Sequence, residues 1–540
     1  MSAGSAARLE AGVPGMHPPP GPDPVPVVTG RGLGPTPPAT GGEITVRTPG
    51  SIVVVSDALQ LARERLDALA SGLASARGDL EVAQRQGPWA HVAGAPAAAR
   101  RFDGELLAAT EELRRATHRA ERLRDDLRTA LTAYAAAEQE AARAQRALGA
   151  GAAWLLGGTG LPLLAVAQAA PWVLLAFALE GVPPAGIPAE LGDLLVAHPE
   201  LVTNPAFVDA VRLVATSSDD ATLGALHAPL LASLGLGDDA LGLTGVSLGG
   251  VALMAAARPF GLFRETPVAV TPLPAPSGPT RPAVGMEERL ERVPDAGVIR
   301  IERYDAPGQP PRWEVYVPPT VTFSPGAGRE PFDMTSNVAG VAGLDAGSIR
   351  AVQVAMDDAG IAGSDEVQFT GFSQGGMVAA RLAASGDWNA VGLASYGGPT
   401  GNIALPEGLA GMAIRNTDDL VPALAGPQTD DHLLQIERRA FAPGDPIPPQ
   451  AAPAHQREAY LATASAVDQA RSGAVREQVA RLDAFGRDYL DAGGSVTVFE
   501  YETERVGATA AAAGGGAGGS GAGSGAGSGE PGAVSGASSR

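Results

Sequence analysis

The hydrophobic pattern changes its period along the chain. From Ser56 onward Leu59, Ala62, Leu66, Leu69 and Leu73 recur at helical spacing, with Ser56 where an N-cap belongs. The Gly87-Pro88 pair ends that helix. A longer helix is predicted over Asp103–Leu148. There Leu106, Leu113, Ala120, Leu127 and Tyr134 repeat every seven residues, with Ala109, Ala116, Leu123 and Ala130 three places later. Arg and Glu fill the other faces. Residues 43–149 therefore predict a helical hairpin or bundle, opened by a strand-like run at Glu43–Arg47.

Residues 150–263 read as an apolar helical region with a possible membrane segment. No charged residue occurs from Gly149 to Leu179. Trp154–Leu179 is long enough to cross a bilayer, but Pro162 and Pro171 interrupt it, so a buried helical pair competes with a membrane span. Ala240–Ala257 is shorter and glycine-rich. If both crossed, Arg143 and Arg146 on one side and Arg258 and Arg264 on the other would keep both ends cytoplasmic. Residues 264–295 are proline-rich and read as a linker.

Over residues 296–505 the pattern becomes β/α alternation. Strands are predicted at Val298–Tyr304, Trp313–Val317, Glu366–Thr370, Val391–Tyr396, Met412–Arg415, Leu433–Phe441 and Ser495–Tyr501. Helices are predicted at Ala346–Ala359, Gly376–Ser385 and Gln456–Ala492. Short apolar strands alternating with helices predict an α/β domain with a mostly parallel sheet covered on both faces, preceded by an all-α region.

Composition narrows the function. The chain carries 39 basic and 59 acidic residues, a net charge of −20, and every basic residue is Arg. An acidic chain with no basic block is a poor partner for phosphate backbones, so nucleic-acid binding is not expected. There is no Cys, which excludes disulfides, thiolate metal sites and Cys nucleophiles. The first residues lack the apolar core of a secretory signal. Residues 1–42 and the Gly/Ser/Ala segment 506–540 have the composition of disordered chain.

The chemistry concentrates at Val367-Gln-Phe-Thr-Gly-Phe-Ser-Gln-Gly-Gly-Met, which reads as strand, sharp turn and helix. Gly371, Ser373 and Gly375 fit a G-x-S-x-G nucleophile elbow. A Ser at so tight a corner needs small neighbours two residues either side. Its hydroxyl then stands above the sheet, beside a helix N-terminus that favours negative charge. Gly245-Val-Ser-Leu-Gly-Gly carries the same motif, but no clear strand precedes it and no β/α unit follows, so Ser247 is the weaker candidate.

The Gly-Phe-Ser-Gln-Gly elbow resembles that of the α/β-hydrolase superfamily, on its cutinase and lipase side, with Phe372 where His or Tyr is common. The resemblance covers the C-terminal half only. It implies a serine hydrolase acting on ester-like or lipid acyl substrates, with chain order Ser, acid, His and no metal or cofactor. Asn416-Thr-Asp-Asp-Leu-Val-Pro422 resembles the acid loop of such enzymes and by spacing makes Asp418 the acid, with Asp419 as fallback. Of His432 and His455, the latter follows a strand by a Pro-rich loop and is the preferred base. Oxyanion donors are expected from Gln374 N–H and, because Pro319 has no N–H, from Thr320. Phe332–Asn337 is expected to line the pocket. The rival reading is a secreted or membrane-associated helical interaction protein that keeps a hydrolase-like domain without turnover.

Overall fold

The computed structural model describes residues 42–47, 55–85, 96–157, 198–225, 247–275, 281–295, 297–323, 326–426, 432–450 and 452–507. The expectations for residues 1–41, for most of Trp154–Leu179 and for the tail beyond residue 507 fall outside these. Among the described residues, no helix is long and apolar enough to cross a membrane.

Ten strands form one mixed sheet: β1 (Thr45–Arg47), β2 (Val55–Ser56), β3 (Val268–Pro272), β4 (Val298–Asp305), β5 (Arg312–Val317), β6 (Glu366–Phe372), β7 (Asn389–Tyr396), β8 (Ala410–Asn416), β9 (Leu434–Arg438) and β10 (Ser495–Arg505). Their order in space is β2-β1-β9-β8-β7-β6-β5-β4-β10-β3. The central run β5 to β9 is parallel, and every pairing outside it is antiparallel. The fold is thus α/β with a parallel core.

The described helices are α1 (Asp57–Arg85), α2 (Pro96–Gly157), α3 (Pro199–Val202), α4 (Pro205–Ala225), α5 (Leu248–Ala257), α6 (Gly285–Arg292), α7 (Met334–Val341), α8 (Gly347–Ala359), α9 (Gln374–Ala384), α10 (Arg457–Asp468) and α11 (Gly473–Asp491). Strand alternation sorts them into two layers. Trp313, Val315, Val317 and Leu393 pack with residues of α7, α8 and α9 on one face. Tyr316, Ala394, Tyr396, Met412 and Ile436 pack with α6, α10 and α11 on the other.

Three expectations are corrected. Residues 264–295 are not a linker: they contribute edge strand β3 and helix α6. Pro is tolerated there because β3 pairs only with β10. The helix expected over Gln456–Ala492 is two helices, α10 and α11, parted at residues 469–472. In α2 the inward column beside Leu106, Leu113 and Leu127 is Thr110, Thr117 and Leu131, whereas Ala109, Leu123 and Ala130 are exposed. The threonine hydroxyls bond the carbonyls one turn back (Thr110 to Leu106 and Thr117 to Leu113, both 2.8 Å), which lets them face inward as small satisfied groups. Of Ala240–Ala257 only residues 247–257 are described; there the chain forms the ten-residue helix α5, about 15 Å long and by itself too short for a bilayer.

The second layer is anchored by buried charge. Glu302 and Glu314 are register partners on β4 and β5, and both are buried. Arg289 of α6 stands 3.4 Å from Glu314 and 2.5 Å from Asp483 of α11. Arg292 and Arg300 pair with Glu302 at 2.9 and 2.7 Å, and Tyr304 Oη lies within hydrogen-bond reach of both carboxylates. Burial lowers the Arg289 pKa, but Glu314, Tyr316 and Asp483 outweigh it and hold the guanidinium charged, above its ordinary value. Replacing Arg289 with Met leaves Glu314 short of its countercharge in the interior. Arg289→Met is expected to cost about 3–5 kcal/mol in urea unfolding, and a loss within about 0.5 kcal/mol would show the cluster to be incidental.

Candidate active site

The site forms where β6, β8 and β9 end. Ser373 occupies the corner between β6 and α9 with φ 56° and ψ −122°, a conformation that L residues seldom adopt. Its N–H donates to Tyr396 O at 2.8 Å, pinning the corner to the neighbouring strand end. The glycines explain themselves sterically. A Cβ on Gly371 would meet Gly375 O at 2.2 Å, and one on Gly375 would meet Val317 O at 2.1 Å. The elbow is therefore in direct backbone contact with the end of β5.

His455 arrives on a short 3-10 turn, Pro453–His455, that follows Ala452 at φ 41°. Its Nε2 lies 2.7 Å from Ser373 Oγ, and its Nδ1 lies 2.7 Å from Asp419 Oδ2. A carboxylate only accepts, so Nδ1 carries the proton and Nε2 is left to accept from the serine hydroxyl. The Phe372 ring stacks on the imidazole, with centroids 5.3 Å apart and planes 21° apart. Ser373 and His455 are each 6% exposed.

The two acidic neighbours have separate surroundings: the carboxylate beside the imidazole is Asp419, and not Asp418 as expected. Asp418 turns away from the imidazole: its carboxylate accepts from Ala440 N at 2.8 Å and Phe441 N at 3.0 Å, tying the loop after β8 to the chain after β9. Burial pushes its carboxyl above the ordinary aspartate range, against the pull of those two amides. Asp419 closes a turn through its N–H to Asn416 O at 3.1 Å, which aims its side chain at His455. Its other oxygen accepts Val421 N at 2.9 Å.

Sequence reasoning missed two positioning residues. Tyr460 on α10 is fully buried and donates its hydroxyl to Asp419 Oδ2 at 2.8 Å, while accepting Asn416 N at 3.1 Å. Asn416 donates its side-chain amide to Ala454 O at 2.9 Å, one residue before the histidine, and accepts Thr463 Oγ1 at 2.8 Å. These bonds lock the acid loop to the histidine loop. Only the proximity of Tyr460 to His455 in sequence hinted at its role.

Gln374 directly precedes Gly375 at the elbow–β5 contact, and Thr320 follows the last residue of β5 by three. Gln374 opens α9, so its N–H has no carbonyl within the helix to bond. Its side chain is buried and donates to Asp333 O at 3.2 Å. Thr320 Oγ1 accepts Asn337 Nδ2 at 2.8 Å. The stretch Phe332–Asn337 thus supports both residues. Asp333 caps α7 by accepting Ser336 N at 2.8 Å and pairs with Arg505 of β10 at 3.0 Å. Burial pushes the Asp333 carboxyl up to about 6 against the pull of Arg505.

Ser247 has a different environment. It is the N-cap of α5 at an ordinary φ of −87°, accepts Gly250 N and donates to Asp219 Oδ1 at 3.0 Å. His432 sits at the opposite end of β9 from the site. Among the described residues no group of three or more His, Asp or Glu is arranged to hold a metal ion. A cavity of about 330 Å³ lies near the start of β7, walled by Ala384, Trp388, Ala390 and Leu405, and no triad residue lines it. No family model, curated protein or solved structure matches this chain.

The geometry separates the two aspartates experimentally. Asp419→Asn is expected to slow phosphonylation of Ser373 by a fluorophosphonate about 10³–10⁴-fold, since Asn cannot hold the imidazole in the required tautomer. Asp418→Asn loses one of two backbone bonds and is expected to lower stability by about 1–2 kcal/mol in thermal unfolding. Its labelling rate should stay within a few-fold of the parent's. The reverse ranking would return the acid role to Asp418.

Proposed function

We propose that this chain is a serine hydrolase of the α/β-hydrolase type, acting on ester-like substrates. One observation carries the reading: a strained serine at a strand-to-helix corner, an imidazole and a carboxylate stand in an unbroken 2.7 Å relay drawn from the chain after β6, β9 and β8. Structural serines rarely adopt such a backbone conformation, because it costs about 1–3 kcal/mol and persists only where the surroundings enforce it.

In the proposed cycle Ser373 Oγ attacks the ester carbonyl carbon while its proton passes to His455 Nε2. The imidazolium is stabilised by Asp419, which itself stays ionised. Negative charge on the former carbonyl oxygen is met by the Gln374 N–H and by Thr320, at the positive end of α9. Collapse breaks the ester C–O bond, and His455 returns the proton to the leaving alcohol. Water, deprotonated by His455, then attacks the acyl-enzyme, and Ser373 recovers its proton as the acid departs. Phe372 offers the charged imidazole a flat face, which helps keep it in plane during both transfers.

The test uses the full chain. A fluorophosphonate should label the protein, and p-nitrophenyl esters should turn over with an acyl-enzyme burst. Both should be lost in Ser373→Ala and His455→Ala and retained in Ser247→Ala. A folded parent that neither labels nor hydrolyses any ester would sink the proposal and favour a non-catalytic interaction protein.

A further inference from the structure

A nucleophile that works on external substrates must be reachable, yet Ser373 and His455 are almost covered. The neighbouring apolar cluster draws on two parts of the chain. Val202, Val208, Val211 and Leu253 come from α3, α4 and α5. Met334, Val338, Leu420, Val421, Ala423 and Leu424 come from α7 and the acid loop.

The second group borders the site residue by residue. Leu420 and Val421 directly follow Asp419, and the Val421 amide bonds that carboxylate. Val338 follows Asn337, which holds Thr320, and Met334 follows Asp333, whose carbonyl anchors Gln374. The N-terminal helices therefore rest on the segments that carry the acid and the oxyanion side.

The seat is close. A Cβ on Gly250 of α5 would lie 2.9 Å from Ala342 Cβ at the end of α7, so the two backbones nearly touch. Within the N-terminal group, Asp219 of α4 accepts Ser247 Oγ at 3.0 Å and Gly249 N at 2.5 Å at the start of α5. The two helices are thus tied to each other and meet the site through apolar surface.

We propose that α4 and α5 form a cap over the Ser373 site, and that substrate reaches the serine only when α5 lifts from α7. This rests on the hydrolase reading above. Once the cap lifts, Leu253, Val208 and Val211 face Val338, Leu420 and Leu424 across an apolar trough. That trough suits an extended apolar acyl chain, and the cap residues set which chain length is preferred.

Two variants of the full chain test the cap by different means. Gly250→Leu places a side chain where none fits, and Leu253→Ala thins the apolar seat without adding bulk. Both should raise the open population. Ser373 should then be labelled by a fluorophosphonate at least about tenfold faster, in proportion to the competent fraction. Leu253→Ala should also narrow the preference for p-nitrophenyl decanoate over p-nitrophenyl acetate. Far-UV circular dichroism controls for folding, and Leu253→Ala decides the matter if Gly250→Leu does not fold. Folded variants that label no faster than the parent overturn the cap and leave the hydrolase reading intact. If the folded parent is neither labelled nor active on any ester, both fall.

Discussion

Everything about this site depends on the absence of space at one corner of the sheet. The chain leaves β6 and must enter α9 within a single residue, and Ser373 absorbs the whole change of direction at φ 56°. That is possible only because Gly371 and Gly375 let the backbone close on itself and on the end of β5. The strain, about 1–3 kcal/mol, is held by the bond from Ser373 N to Tyr396 O and by the packing of α9 between α7 and the sheet. In return the hydroxyl stands at a fixed point to which the later strand ends can deliver an imidazole. It also sits beside the first free amide of a helix.

What brings the imidazole there is a set of neutral hydrogen bonds rather than a charge pair alone. Asn416 and Tyr460 connect the last residue of β8, the histidine loop and α10 into one unit. Asp419 sits inside that unit with hydrogen bonds on both carboxylate oxygens, from His455, Tyr460 and Val421. Such a carboxylate has little freedom to swing, which is what a group that only orients needs. Asp418, one residue earlier, fastens the loop to the chain beyond β9. Two adjacent acids thus divide support and orientation between them.

Much of the architecture could be read from residue pattern, for identifiable reasons. Parallel strands covered on both faces become short apolar runs, so β7 and β8 stood out as Val391–Tyr396 and Met412–Arg415. Ser373 and His455 were legible because a chemical motif and a chain order constrain them. The choice between Asp418 and Asp419 was not, since it turns on one backbone bond, Asp419 N to Asn416 O. β3 was hidden because an edge strand tolerates Pro and needs no alternation of its own. The inward column of α2 was misplaced because Ala is silent about burial, while Thr110 and Thr117 look polar until their hydroxyls are satisfied within the helix. Arg505 and Tyr460 act across long sequence separations, and for Arg505 no local pattern announces it.

The chain carries one short motif twice and uses it in two ways. At Gly371–Gly375 a buried strand runs into the serine, its exit is blocked by the neighbouring strand end, and the only route onward is a positive φ. Among the described residues, no strand end stands against Ser247 in this way. The backbone takes an ordinary extended angle, and the hydroxyl does what serines at helix starts commonly do, accepting the Gly250 amide while donating to Asp219. Gly250, just past the motif, serves packing: it lets α5 press against α7. A G-x-S-x-G string therefore specifies small residues around a hydroxyl and nothing more. What surrounds that hydroxyl makes the difference: at Ser373 an imidazole stands within reach, and at Ser247 the hydroxyl caps a helix.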